Sequence, residues 1–267
     1  MSGSPTIAAR TAALCDQLCG LCEPSAAERI TVMEICGTHT MAIARNALRS
    51  LLPSKLRLVS GPGCPVCVTD QSYMDRAVHL ARTPNVTIAT YGDMVRVPGH
   101  AGSLADARGD GADIQVVYGA DQAVDLAIAR PDRQVVFLGV GFETTAPATA
   151  LAVQRAQREE LKNFSVLTAH KWLLPAMHAL LSMPDIRVDG FLCPGHVSVI
   201  LGYAAFEPIV KQYRRPCVVG GFEPVQILEA LYEIVRELND DAPQACSVYS
   251  SVSREGNLVA RQLAPIR

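Results

Sequence analysis

Eight short runs of β-forming, mostly apolar residues recur along the chain, and stretches with helical spacing separate most of them. Such alternation of strand and helix predicts parallel sheets covered by helices. The strands of a parallel sheet are buried on both faces, which explains why these runs are apolar almost throughout. We therefore predict an α/β fold. The eight runs begin at Ile30, Leu56, Val86, Ile114, Gln134, Phe164, Val188 and Cys217.

The length of 267 residues is enough for one large or two small domains. We predict two similar lobes, each a small parallel sheet flanked by helices, with a cleft between them. Dividing the strands evenly gives an N-terminal helical segment at 1–29, a first lobe at 30–150 and a second lobe at 151–267. The strand near 30–35 could belong to the second lobe.

Two tripeptides recur in the chain. PGH occupies 98–100 and 194–196, and GFE occupies 141–143 and 221–223. The repetition hints at two related halves, although tripeptides also recur by chance.

Charge and hydropathy exclude several classes of function. Lysine and arginine number 24 against 26 acidic residues, giving a formal net charge of -2. These charges are interspersed, so we expect no nucleic acid or anionic membrane as partner. No apolar run approaches the roughly 18 residues that span a bilayer, and the first ten residues lack the apolar core of a signal peptide. We therefore expect a cytoplasmic protein.

The nine cysteines are an odd number scattered over a long chain. Without a secretory signal, a structural disulfide framework explains them poorly. Thiol or metal chemistry is the better expectation, and it directs attention to the loops that follow the strands. In open α/β sheets, ligands bind beyond the carboxyl ends of the strands.

The first such loop is CGTHT, which places Cys36 and His39 in a tight strand-to-helix turn. Amide groups at a helix N-terminus favour a thiolate there. A cysteine and a histidine three residues apart could bind a soft metal, or the imidazole could activate the thiol as a nucleophile. The alternative is a buried cysteine beside a structural histidine.

The second loop, GPGCPVC, contains the Cys-x-x-Cys pair Cys64 and Cys67. This spacing suits a reversible dithiol or half of a metal site. A structural zinc site normally needs a second such pair. The other Cys-x-x-Cys, Cys19 and Cys22, forms a helical pattern with Cys15, and these three thiols are expected to pack on one helix face.

Two further loops carry polar side chains at predicted strand ends. GFETTAP supplies Glu143, which could hydrogen-bond a ligand or a histidine, and two threonines that could serve as a helix N-cap. LCPGHVS supplies His196, either a functional or a structural imidazole. The remaining cysteines are expected in the core: Cys193, Cys217 and Cys246.

Taken in order, four loops resemble those of the HypD family of hydrogenase maturation proteins. They are EICGTHT at 34–40, GPGCPVC at 61–67, GFETTAP at 141–147 and PGHVS at 194–198. The similarity extends from about Ile30 to the GNLVARQ stretch that begins at Gly256.

The resemblance implies a cytoplasmic scaffold that assembles iron carrying cyanide and carbon monoxide ligands. It also implies a HypC-type small chaperone and a HypE-type cyanide donor as partners, with delivery of the finished group to a hydrogenase large subunit. On this basis Cys36 is the expected iron thiolate, acting with a cysteine of the small chaperone, while His39, Glu143 and His196 are expected to line the cleft. Cys64 and Cys67 are the expected redox dithiol.

One departure from the family pattern concerns a cofactor. Family members usually continue into a cysteine-rich region that holds a 4Fe-4S cluster, and this sequence ends at Arg267 without such a cysteine set. The sequence therefore leaves two alternatives open beside the scaffold. One is a stand-alone dithiol oxidoreductase, and the other is a truncated, non-catalytic binding remnant of the family.

Overall fold

The structure is a computed structural model, and it describes residues 6–25 and 27–263. The outermost parts of the predicted segments 1–29 and 151–267, together with Ala26, lie outside the described residues. Nine β-strands are present in the described chain. They are β1 Ile30–Glu34, β2 Leu56–Ser60, β3 Val86–Thr90, β4 Asp113–Val116, β5 Gln134–Gly141, β6 Phe164–His170, β7 Gly190–Pro194, β8 Cys217–Gly220 and β9 Ala245–Ser247.

Eleven α-helices occur in the same residues, mostly between successive strands. They are α1 Ile7–Cys22, α2 Gly37–Arg45, α3 Gln71–Ala81, α4 Leu104–Gly109, α5 Ala120–Ala129, α6 Ala146–Arg158, α7 Leu173–Leu181, α8 Gly195–Leu201, α9 Glu207–Tyr213, α10 Pro224–Asn239 and α11 Leu258–Leu263. None of these helices has both the length and the apolar composition needed to cross a membrane.

The chain divides into two compact units. Unit 1 comprises Met1–Gly63 and Leu173–Leu258, and unit 2 comprises Cys64–Trp172 and Val259–Arg267. Each contains one sheet in which every strand pair is parallel. The predicted α/β fold with two parallel sheets flanked by helices is confirmed.

The sheet of unit 1 has the strand order β2-β1-β7-β8-β9. Helix α10 packs one apolar face on this sheet, and α1 packs against α10 through the buried side chains of Leu18 and Cys22. Gly190 of β7 allows the close approach of α10, because an added Cβ there would lie 2.6 Å from Ile234 Cγ2. The buried cluster fixes the strand ends that carry the loops of unit 1.

The sheet of unit 2 has the order β4-β3-β5-β6. Its central strand, β5, is buried along Val135–Gly141, which explains the near-continuous apolar run in the sequence. Helices α3 and α4 contribute to one apolar cluster, and α5 and α6 contribute to a second. The carboxyl end of β5 leads directly into the GFETT loop.

The division into units differs from the predicted boundary near residue 150. The strand β1 pairs with β7, so the first 63 residues join the segment that begins at Leu173. The physical reason is that two parallel strands are joined by a crossover connection, so the local sequence of a strand does not determine which strand it pairs with.

Candidate functional site

Cys36 lies at the junction of β1 and α2, where it is the N-cap residue of the helix. Its side chain is buried, and its carbonyl accepts a hydrogen bond from the Thr40 backbone N–H at 3.1 Å. The loop GPGCPVC contributes Gly63 to this junction. A Cβ at Gly63 would lie 2.1 Å from the Cys36 backbone nitrogen, so only glycine fits there. Gly63, which belongs to unit 1, therefore packs directly against the Cys36 backbone.

His39 lies in the first turn of α2, three residues after Cys36, and is fully buried. Its Nε2 is 2.9 Å from the Gly221 carbonyl oxygen. Burial lowers the pKa of His39 to about 4, although the hydrogen bond to Gly221 opposes this shift. The imidazole is consequently neutral at physiological pH.

An aromatic stack surrounds this imidazole. The Phe222 ring centroid lies 4.8 Å from that of His39 and 4.1 Å from that of His196. Tyr249 packs edge-on against Phe222 at 6.3 Å. His39 is buried and His196 is exposed, so the stack runs from the interior of unit 1 to its surface. The structure brings two of the predicted site residues together through a ring that sequence reasoning missed.

Glu34, in the same EICGTHT motif, is a second residue that sequence reasoning missed. Its carboxylate is fully buried, and Oε1 accepts hydrogen bonds from Arg49 at 3.0 Å and from Ser60 at 2.5 Å. Burial raises the pKa of Glu34, while the Ser60 and Arg49 contacts oppose that rise. A buried acid two residues before a cysteine was a usable signal in the sequence.

Cys64 and Cys67 lie in unit 2, in the turn that precedes α3. Their Sγ atoms are 2.7 Å apart, and the Cys67 backbone N–H also donates to Cys64 Sγ at 3.3 Å. The hydrogen bond to Cys64 raises the pKa of Cys67, and burial adds to the effect. The two thiols therefore differ in their surroundings, because Cys64 accepts the Cys67 backbone N–H and is partly buried, whereas Cys67 is exposed.

Glu143 is fully buried just beyond the end of β5. Thr145 is the N-cap residue of α6, but its hydroxyl donates to the Phe142 carbonyl at 3.3 Å instead of accepting from the helix. The predicted threonine N-cap is thus present in position without its side-chain bond. The carboxyl end of β5 therefore leads into a buried acid.

His170 is a further residue that the sequence reasoning missed. It ends β6 and is in register with Gly141 on β5, beside the GFETT loop. Its Nδ1 lies 3.0 Å from the Thr168 hydroxyl and its Nε2 lies 3.4 Å from the Thr149 hydroxyl. Burial lowers the pKa of His170. A histidine that closes a predicted strand could have been found by the strand-end rule applied to the other loops.

The remaining cysteines pack as structural residues or lie at the edge of the core. Cys193 and Cys217 are fully buried in adjacent strands, and Cys22 is buried in α1, whereas Cys15, Cys19 and Cys246 are partly buried. Burial raises the pKa of Cys15, Cys22, Cys193 and Cys246. These thiols are poor nucleophiles where they lie.

Among the described residues, one group of three metal-type ligands lies close enough to share an ion, and it consists of Glu233, Glu237 and Cys246. Its donor atoms already have protein partners. Arg236 binds Glu233, and Glu237 accepts from the Gln244 N–H at 2.7 Å and from the Cys246 thiol. We interpret this group as a structural network.

The fold and the side chains define an α/β protein of two units, in which Cys36 follows the carboxyl end of β1, and Cys64 and Cys67 follow that of β2. A family model for HypD, described as the Hydrogenase formation hypA family, matches residues 11–265. The chain belongs to this family. The resemblance inferred from the four loops is confirmed.

Similar proteins agree with this assignment. The hydrogenase maturation factor HypD of Azotobacter vinelandii is 46% identical over 239 residues, which are 87% of this chain and 63% of the relative. The hydrogenase expression/formation protein HupD of Azotobacter chroococcum is 44% identical, covering 90% and 65%. HypD of Escherichia coli K12 is 42% identical, covering 88% and 64%. The chain spans slightly less than two thirds of the length of these relatives.

Proposed function

We propose that this chain is a hydrogenase maturation factor, a scaffold on which the iron-cyanide-carbonyl group of nickel-iron hydrogenases is assembled and from which it is transferred. The observation that carries the proposal is the Cys36 thiol at the N-terminus of α2, three residues before a buried neutral imidazole. Membership of the HypD family and the names of the relatives support it.

Cys36 is the proposed iron ligand because thiolates suit iron with strong-field ligands. His39 is a possible second ligand, since a neutral imidazole offers a nitrogen lone pair. The iron group is cargo, so the scaffold must release it. A small set of protein ligands is compatible with cyanide, carbon monoxide and a partner's thiolate completing the coordination.

The proposed partners are a HypC-type small chaperone, a HypE-type cyanide donor and, indirectly, the hydrogenase large subunit. The proposed compartment is the cytoplasm, where thiols remain reduced. Glu143, buried at a strand end, and His196, exposed on the aromatic stack, are the proposed supporting groups of the chemistry.

Cys64 and Cys67 form the proposed redox dithiol. Closing the pair forms one S–S bond and releases two electrons and two protons, and reopening it takes them up again. Within 6–25 and 27–263, no four cysteines converge as a 4Fe-4S cluster requires. The cysteines described here do not fit that cluster, and we assign no electron-transfer step through it.

The test is co-expression with the other maturation proteins, purification without oxygen, and an infrared spectrum with an iron assay. We expect cyanide and carbonyl stretching bands on near-stoichiometric iron. Cys36→Ala should remove both bands and the iron, whereas the matched control Cys22→Ala, a buried cysteine on α1, should retain them. Normal iron retention by Cys36→Ala would refute the assigned role.

A second candidate, a stand-alone dithiol oxidoreductase, is favoured by the 2.7 Å separation of the two sulfurs and by the exposure of Cys67. It predicts reduction of protein disulfides without iron, with electrons from an added thiol. Cys64→Ser should abolish this turnover because the internal disulfide can no longer form. Unaltered turnover in Cys64→Ser would exclude the candidate.

A further inference from the structure

Phe222 lies between two imidazoles in unit 1. Its ring is stacked on His196 with an interplanar angle of 28°, and it is tilted by 36° against His39. His39 is fully buried and His196 is exposed, so one aromatic ring packs against both the interior and the surface imidazole. The scaffold role outlined above assigns no task to this ring.

The residue before Phe222 determines which nitrogen of His39 carries the proton. The Gly221 carbonyl can only accept a hydrogen bond, and it lies 2.9 Å from Nε2. Nε2 therefore carries a proton, and Nδ1 is the nitrogen that is left to hold a lone pair. His39 Nδ1 is buried and has no hydrogen-bond partner among the described residues. A buried acceptor of this kind is costly unless something binds it.

Two side chains hold the segment that carries Gly221 and Phe222. Gln226 Oε1 accepts from the Glu223 backbone N–H at 3.2 Å, which is part of a capping box at the start of α10. Tyr249 also packs against the segment. A Cβ at Gly221 would lie 2.9 Å from the Tyr249 ring, and one at Gly195 would lie 3.0 Å from it. The position of the Gly221 carbonyl is therefore fixed by packing.

We propose that Phe222 is a positioning residue for the Cys36 site. Together with the Gly221 carbonyl, it holds the His39 ring so that Nδ1, and not Nε2, is the nitrogen that can coordinate a metal bound by the Cys36 thiolate. The identity of that ligand rests on the proposed function, whereas the orientation and tautomer of the ring do not.

The first measurement is the histidine tautomer by long-range proton-nitrogen NMR on the whole metal-free chain at neutral pH, with His39→Gln to assign the signal. We expect wild type to show a single tautomer with the proton on Nε2. Phe222→Leu should show a mixture of tautomers, and Phe222→Tyr should restore the single form because it keeps the ring. The matched control is Phe142→Leu in the other GFE motif, which should leave the His39 signal unchanged.

The second measurement is binding of Co²⁺ as a probe, followed by its thiolate absorption band. Loss of an orienting partner typically weakens metal binding by about 10- to 100-fold, and we expect a loss in that range in Phe222→Leu with recovery in Phe222→Tyr. Wild type that binds no Co²⁺ through Cys36 would count against the proposed function, while the tautomer result would still decide the role of Phe222.

An unchanged tautomer together with unchanged Co²⁺ affinity in Phe222→Leu would overturn the inference. Should that variant fail to fold, Tyr249→Leu keeps the Phe222 ring and removes the edge contact that supports it, together with the ring that packs over Gly195 and Gly221. The inference then requires Tyr249→Leu to disturb the His39 tautomer, and a wild-type signal in that variant would refute it.

Discussion

The tripeptide GFE follows a parallel strand in both units, yet its residues have opposite environments. In unit 2, Glu143 is fully buried and Phe142 is 6% exposed. In unit 1, Glu223 is exposed and Phe222 is half-buried between two imidazoles. One local sequence at the end of one kind of strand therefore gives a buried acid in one unit and an aromatic stack in the other.

The start of the next helix explains the difference. Helix α10 begins at Pro224, so Glu223 becomes its N-cap residue and turns toward solvent. Helix α6 begins at Ala146, with Thr145 as N-cap, so Glu143 precedes the N-cap by two residues and stays in the interior. Two residues of helix register thus decide whether the acid is a cap or a candidate site residue.

The largest test of this comparison removes the two phenylalanines. Phe142→Ala should lower the free energy of unfolding of unit 2 by about 3–5 kcal/mol, as for a buried ring. Phe222→Ala should cost unit 1 roughly half as much, because only part of its ring leaves water. Hydrogen exchange of peptides from β5 and β8, read by mass spectrometry, separates the two units. Equal losses would contradict the contrast in environment.

The sequence predicted the elements of this fold better than their partners. All eight expected strands form, because long apolar runs between turn residues are a local signal. The ninth, Ala245–Ser247, has three half-buried residues and gives no such signal. The pairing of β1 with β7 joins segments more than 150 residues apart, and only tertiary contacts select it.

The candidate site shows the same limit. Cys36, His39 and the Cys64–Cys67 pair follow strands or lie in short motifs, so residue type and spacing revealed them. The aromatic stack joins His39, Phe222 and Tyr249 from three distant segments, and no local pattern encodes it. The recurrence of GFE did mark the place, but it directed attention to the glutamate instead of the phenylalanine.

A smaller effect is expected on the pH dependence of stability, where the imidazoles of His39 and His170 can be compared. The pKa of His39 is about 4 in the folded protein against about 6.5 for an unperturbed histidine, so the unfolded chain binds the proton first. The contribution of His39 to the free energy of unfolding is therefore fully present above pH 6.5. It decreases by up to about 3 kcal/mol as the pH falls toward 4. The pKa of His170 is lowered in the same direction by partial burial.

We therefore expect His39→Gln to flatten the stability profile between pH 6.5 and 4, and His170→Gln to flatten it less. Proton uptake on unfolding, measured at several pH values in this window, reports the effect directly. Subtracting each variant from wild type removes the contribution of Glu34, whose raised pKa acts in the opposite direction. A larger change in His170→Gln than in His39→Gln would show that burial lowers the pKa of His170 more than that of His39, contrary to this prediction.

The smallest effect tests whether Glu223 is only a helix cap. Glu223→Ala should cost about 1 kcal/mol of stability in unit 1, the usual value for a lost N-cap, and Glu223→Gln should cost less because its side-chain oxygen still accepts. Neither variant should change the infrared bands of iron-loaded protein. Glu143→Gln keeps the shape of the buried side chain but replaces its carboxyl group with an amide, and it should weaken those bands. The opposite result is weaker bands in Glu223→Gln and normal bands in Glu143→Gln. It would show that the exposed Glu223, and not the buried Glu143, is the functional acid of the two motifs.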